Sequence, residues 1–346
     1  MTDERIQTMT TTRTTTTAKS HAAHSFTQRP GSHIDHGTSH PLLDNVLQRV
    51  VRGDLAGAAD RLFAGLDEIL GNSSDAEWER FAKNVVPQHA LAKIIHLDPL
   101  TQRAFAKPRG YAGDAVLLDY IYGILDARDQ GPVSQWLYDY CSKRFAIRAV
   151  RARRRIIAKS IDACAAKNPG RVRILSVACG HLREAQVSRA VENDHVRELI
   201  ALDSDAKSLE VAASASPCVK PQHMSVRQML AGKADFGQFD LIYSSGLYDY
   251  LEDRVAQRLT RSLFRMLVPG GRLVLCNFLP TTPDIGYIES FMDWDLRYRD
   301  RQEILAFADE IDRSEIASTR YHEDAFRSIG YFELEKGESR SDREAF

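Results

Sequence analysis

Four groups of residues have types and spacings suited to chemistry. Gly180 and His181 directly follow a short apolar run in RILSVACGH, and Asp203 closes a second run, LIALD, 23 residues beyond Gly180. A small residue at such a turn lets a nucleotide-type ligand approach the backbone and the start of the next helix. A carboxylate ending the neighbouring strand accepts both hydroxyls of a ribose. Gly180 alone is an ordinary tight turn, since the full GxGxxG pattern is not met. Together the two signals point to an adenosine-bearing cofactor. His181 is a candidate base, because a helix N-terminus would keep the imidazole neutral; it reads equally well as a loop-capping residue. Tyr248, Asp249 and Tyr250 follow another apolar run, FDLIYSSG, and offer phenol and carboxylate groups at a further strand end. The fourth group is KPRGYAGD at 107–114, dense in residues that fix the backbone or make polar contacts. There Tyr111 or Arg109 is expected to reach inward from a lid, while Asp114 also suits a helix cap.

The elements that must carry these groups fall into two grammars. Between Pro41 and about residue 168 apolar residues recur at helical spacing, as at Leu43, Val46, Leu47, Val50 and Val51. Further helices are expected at 88–97, 113–126 and 133–166, so 41–168 reads as an all-helical lid or substrate domain. After NPGR at 168–171, short apolar runs alternate with amphipathic stretches. Strands are expected at RILSVACG, RELIALDSD, HMSVRQM, FDLIYSSG and RLVLCNF, with helices at LREAQVSRAVEND, AKSLEVAAS and RVAQRLTRSLFRMLVPGG. A helical insert at about 286–313, a last helix and a closing strand GYFELEKG complete the reading. Strand–helix alternation of this kind gives an α/β, doubly wound, mostly parallel, Rossmann-like sheet over 169–346.

Composition narrows the function classes. Lys+Arg 46 against Asp+Glu 47 leaves a net charge of -1, which argues against nucleic acid as a partner. The run RAVRARRR at 148–155 is then a solvated helix face. No apolar run approaches the roughly 20 residues of a membrane span, and five cysteines without a CxxC pair suit free thiols in a cytoplasmic protein. Residues 1–40 hold nine threonines in the first 17 positions and histidines at 21, 24, 33, 36 and 40, and read as a solvated tail rather than a metal site. No metal is expected; a small-molecule partner is, and a homodimer is compatible with the reading.

The string FDLIYSSGLYDYL…LFRMLVPGGRLVLCNF resembles class I S-adenosylmethionine-dependent methyltransferases over about 170–335. The resemblance implies S-adenosyl-L-methionine as cofactor, held by Ala178, Gly180, Glu184, Asp203, Ser204, Met229 and Ser245, with Tyr248 and Asp249 facing the acceptor; Tyr111 of the lid loop and His181 complete the catalytic candidates. The chain departs from that pattern in the first loop, where Ser176 stands for an acidic residue and Ala178 and Leu182 stand for glycines. Glu184 or Asp249 then compensates the methionine amine and Arg183 the carboxylate. From about Trp78 onward, the lid loop with VACGHLREA, SSGLYDYL and GYIESFMDWDLRYR resembles proteins assigned to extracellular-factor 3-hydroxypalmitic acid methyl ester biosynthesis, and the related azetidine-2-carboxylate synthases. The first likeness implies methylation of a fatty-acid-like or other small acceptor at a carboxylate or hydroxyl, in secondary-metabolite or signal biosynthesis. The second implies cyclisation of the cofactor itself with release of methylthioadenosine. A non-catalytic binding module that has lost the cofactor is a third reading.

Overall fold

The computed structural model describes residues 38–233 and 236–338. All of them lie in one compact unit, His36–Phe346. The threonine- and histidine-rich stretch falls almost wholly outside the described residues.

Helices α1 (Pro41–Val51), α2 (Leu55–Asn72), α3 (Asp75–Arg80), α4 (Ala90–Ile95), α5 (Pro99–Ala106), α6 (Ala115–Ile121), α7 (Pro132–Cys141) and α8 (Phe145–Lys167) precede the sheet. Their starts follow from the sequence. Asp54, Asp98 and Asp114 each accept a backbone N–H of the first turn, and proline stands in the first turn of α1, α5 and α7.

The sheet has seven strands: β1 (Val172–Val177), β2 (Val196–Asp203), β3 (Val219–His223), β4 (Phe239–Ser244), β5 (Leu267–Phe278), β6 (Ile316–Glu323) and β7 (Ile329–Lys336). Their order is β3-β2-β1-β4-β5-β7-β6. The first five run parallel, β7 is antiparallel to β5, and β6 is antiparallel to β7. This is a doubly wound, Rossmann-like sheet behind an N-terminal helical region. The order reverses at the β1–β4 pair, where a crevice opens at the carboxyl ends of the strands.

Period-two alternation assigns each strand residue to one face. Ile174, Leu241 and Val274 join Leu43, Leu62 and Ile161 in one apolar cluster, so the helical region covers that face. Leu175, Ile242 and Leu273 join Leu259, Leu263 and Phe307 on the other.

Several expected elements differ. The third strand is VKPQH, and SVRQ instead opens the short helix α11 (Val226–Gln228), which follows α9 (Arg189–Glu192) and α10 (Ala206–Ala213). The physical reason is a capping box: the Ser225 amide donates to Gln228 Oε1 at 2.8 Å and the Gln228 amide donates to Ser225 Oγ. The expected helix LREAQVSRAVEND shortens to one turn before Ser188 and to α9 after it, because Leu182 adopts φ 51° and Ser188 caps α9. After α12 (Asp253–Arg265), the insert is helical only at α13 (Ile285–Ser290), α14 (Arg301–Leu305) and single turns around them. Between α13 and α14 the chain has no regular secondary structure, and the amides of Arg297 and Arg299 donate to the carbonyls of Asp249 and Phe278. The expected last helix is β6, whose β-branched and aromatic side chains pair along β7.

Candidate active site

A cavity of about 340 Å³ opens at the carboxyl ends of β1, β2 and β4 and is closed on its far side by α6, α8 and the lid loop. The loop after β1 forms its floor. Ala178, Gly180 and Leu182 all lie in the left-handed region, at φ 54°, 53° and 51°. That conformation costs a non-glycine residue about 1–2 kcal/mol. The loop therefore keeps a glycine-type path at two positions where the sequence has none. A Cβ at Gly180 would approach the Ala115 side chain to 3.2 Å, so the helical region packs directly on this turn.

Asp203 ends β2 with its carboxylate tied to backbone. Its Oδ2 accepts the Gly180 N–H at 2.8 Å, and Oδ1 accepts the Asp205 N–H at 2.9 Å. Each oxygen keeps a further lone pair, and Asp203 and Ser204 both line the cavity. Arg109 of the lid loop bonds Asp205 Oδ2 at 2.6 Å and Ser208 Oγ at 2.9 Å, which ties the loop to α10 rather than turning Arg109 inward. Tyr111 is the inward residue: 37% exposed, it lines the cavity and meets the Tyr250 ring edge-on. Burial and the neighbouring Asp203 push its phenol above the ordinary value. Gly113 is required where it stands, because a Cβ there would collide with the Tyr250 hydroxyl and the Trp294 ring. Trp294 donates to that hydroxyl at 2.7 Å.

Three buried ionisable groups line the opposite end. Burial pushes Asp249 up to about 7, against the pull of Arg153, and its Oδ1 accepts the Phe278 N–H at 2.7 Å. Burial likewise raises Glu184, which accepts the Tyr243 hydroxyl at 2.8 Å. Arg153 of α8 is 5% exposed, and its Nη1 lies 3.9 Å from Asp249 Oδ2 without a hydrogen-bond partner among the described residues. A guanidinium left short of acceptors in a cavity wall is a ready seat for a carboxylate.

His181 donates or accepts at Nδ1 with Asp119 Oδ2, 2.9 Å away on α6. Arg183 holds the same carboxylate with two bonds of 2.7 Å. Although burial opposes it, the bonds from Arg183 and His181 keep the Asp119 carboxyl below its ordinary value. Arg183 is thus engaged within the protein, not free to hold a ligand carboxylate.

Of the residues expected from sequence, the cavity brings together Tyr111, Ala178, Gly180, His181, Glu184, Asp203, Ser204, Ser245 and Asp249. Tyr248 and Met229 do not line it. Both are buried in the apolar cluster on the other sheet face, where Tyr248 shares a 2.9 Å bond with Thr260 and packs on Phe307. One turn of 3-10 helix over Tyr248–Tyr250 explains the exchange: it sends Tyr248 into the core and Tyr250 to the cavity. Sequence reasoning also missed Arg153, Asp119 and Tyr122, whereas Trp294 of the insert lines the cavity, as one reading of GYIESFMDWDLRYRD has it. For Arg153 a signal existed, because it shares a helix face with Ala149, Val150 and Ile157. A charge on an apolar stripe is not a solvated face, which corrects the reading of the arginine run at that position.

Residues 174–271 match the family model of a methyltransferase domain. The matched stretch runs from within β1 to within β5. Among solved structures, a possible exported protein from Bordetella parapertussis superposes with a TM-score of 0.50 at 17% identity, covering 71% of this chain and 97% of its own. The N-methyltransferase NodS from Bradyrhizobium japonicum, in complex with S-adenosyl-L-homocysteine, covers 64% of this chain and 100% of its own at 16% identity and a TM-score of 0.40. Magnesium protoporphyrin IX methyltransferase (ChlM) from Synechocystis, with bound S-adenosylhomocysteine, covers 56% and 88% at 14% identity and a TM-score of 0.42. No curated protein matches the chain. No helix among the described residues is long and apolar enough to cross a membrane.

Proposed function

We propose that the chain is an S-adenosylmethionine-dependent methyltransferase acting on a small-molecule acceptor. One observation carries the reading: a buried carboxylate, Asp203, at the end of β2, held by the Gly180 amide of the β1 turn and lining the cavity. That is the arrangement a ribose diol needs. The remaining groups fit the rest of the cofactor. The unpartnered Nη1 of Arg153 suits the methionine carboxylate and Glu184 its ammonium, while the left-handed turn through Ala178 and Gly180 leaves room for the nucleoside. When bound, the cofactor supplies a methyl carbon activated by a sulfonium.

The chain's own residues position and desolvate. Tyr250, Trp294, Phe278, Leu118 and Leu247 give the cavity an apolar lining in which displacement at carbon meets little competition from water. The faces of Tyr111 and Tyr250 can stabilise a sulfonium through cation–π attraction. The apolar share of the lining favours an acceptor with a hydrocarbon part, in line with the fatty-acid-like acceptor that the sequence resemblance implies. Titration calorimetry with S-adenosylmethionine tests the reading. Binding by the wild type and its loss in Asp203→Ala are expected. Absence of binding by the wild type overturns it, and methylthioadenosine formed without any acceptor would replace transfer by cyclisation.

A further inference from the structure

We propose that Asp119 and His181 form a general-base pair for the acceptor, with Asp119 as positioning residue, so that the group methylated is a hydroxyl or an amine that must lose a proton. The inference rests on the proposed function and narrows its substrate class. The argument begins with two atoms of one ring. His181 Nδ1 lies 2.9 Å from Asp119 Oδ2, whereas Nε2 is buried with no hydrogen-bond partner among the described residues, and His181 is one of the residues lining the cavity. A carboxylate only accepts, so Nδ1 must carry the hydrogen, which leaves Nε2 with a bare lone pair when the imidazole is neutral. An unpartnered buried acceptor is costly unless something entering the cavity donates to it.

Arg183 fixes the partner: its guanidinium binds both oxygens of Asp119 and so holds the carboxylate in place against the His181 ring. The other charged groups at this end, Arg153 from α8, Glu184 from the same loop and Asp249 after β4, line the cavity without a hydrogen bond to the ring. In the step assigned to the pair, the acceptor's O–H or N–H proton passes to Nε2 and the electron pair it leaves makes the new bond to the methyl carbon. The carbon–sulfur pair returns to sulfur, and the proton later leaves Nε2 to solvent while Nδ1–H stays on Asp119. A carboxylate acceptor, ionised near neutral pH, would need none of this.

The test is the tautomer itself, read without any acceptor. With 15N-labelled histidine, long-range 1H–15N correlation at neutral pH in the S-adenosylhomocysteine complex should show His181 protonated at Nδ1 and bare at Nε2, its signal assigned by its disappearance in His181→Gln. Asp119→Ala should lose the Nδ1–H tautomer as the major form, with Nε2 moving into the protonated range. An imidazolium in the wild type, or an unchanged tautomer in Asp119→Ala, overturns the pair. The wild-type spectrum decides even where the variant does not fold. Failure of S-adenosylhomocysteine to bind overturns the proposed function instead, and the tautomer remains readable in the free chain.

Discussion

The two walls of the cavity are built differently. On the sheet wall, Asp203 and Asp249 end or follow strands and take backbone N–H groups, from Gly180, Asp205 and Phe278. On the helical wall, Arg153, Asp119 and Tyr111 meet other side chains or nothing at all. Backbone partners are set by the strand order and survive any change of neighbouring side chain. Side-chain partners exist only because α6, α8 and the lid loop carry these residues at these positions. The sheet wall therefore recognises what every ligand of this fold shares, and the helical wall is where one chain differs from another.

The largest expected effect tests where the walls meet. Asp249 holds its proton to about pH 7 in the folded state, against about 4 when unfolded. Below pH 4 both states are protonated and nothing is lost. As pH rises from 4 to 7 the unfolded chain releases a proton that the folded chain keeps, so stability falls, by at most on the order of 4 kcal/mol, and levels off above 7. Asp249→Asn keeps an acceptor for the Phe278 N–H and should remove this slope. Urea unfolding at about pH 4.5 and 7.5 measures it; a slope shared by wild type and variant would show that Arg153 already neutralises the carboxylate.

The next two substitutions separate the walls directly. If Asp203 holds the ribose as proposed, Asp203→Ala removes two hydrogen bonds to a charged group, on the order of 3 kcal/mol, and should weaken S-adenosylhomocysteine about 100-fold. Arg153→Met should weaken it about 30-fold, by removing one charge-assisted partner of the amino-acid end. Methylthioadenosine lacks that end. It should lose affinity in Asp203→Ala and keep it in Arg153→Met. Equal losses for both ligands in Arg153→Met would mean that the arginine supports the wall instead of facing the ligand.

The division between walls also governs what the sequence makes legible. The parallel strands, the Gly180–Asp203 pair and the chain path through Ser245 are legible because strand periodicity is local and strand ends converge by topology. The helical wall is less so. Asp119 sits on the buried face of DAVLLDYIYG beside Ala115 and Leu118, yet only the fold shows that His181 and Arg183 arrive there. Arg153 hides in a basic run of which only Arg148 and Arg155 are exposed; Arg151 bonds the Ile121 and Ser142 carbonyls and Arg154 lies over the Tyr122 ring. Ala178 and Leu182 mislead in the other direction: their identities argue against a glycine-type loop that the backbone adopts regardless. Tyr248 and Tyr250 differ by two positions, and a single 3-10 turn decides which one reaches the cavity.

The smallest effect sharpens the comparison at the lid. Tyr111 touches the cavity from a loop that two ion pairs hold down, Arg109 to Asp205 and Lys107 to Asp293, so its backbone position does not depend on its own ring. Tyr111→Ala removes a partly exposed ring and should cost little stability, since truncating a residue at the solvent boundary leaves no closed void. What it opens is a route for water to the reacting carbon and a gap beside Tyr250. Turnover should fall about tenfold while Asp203 still binds the ribose, so S-adenosylhomocysteine affinity changes less than threefold or so. Tyr111→Phe keeps the ring face and should behave as wild type if the face matters, or as Tyr111→Ala if the hydroxyl does. Turnover unchanged in both would place the specificity of the helical wall in α6 and α8 alone.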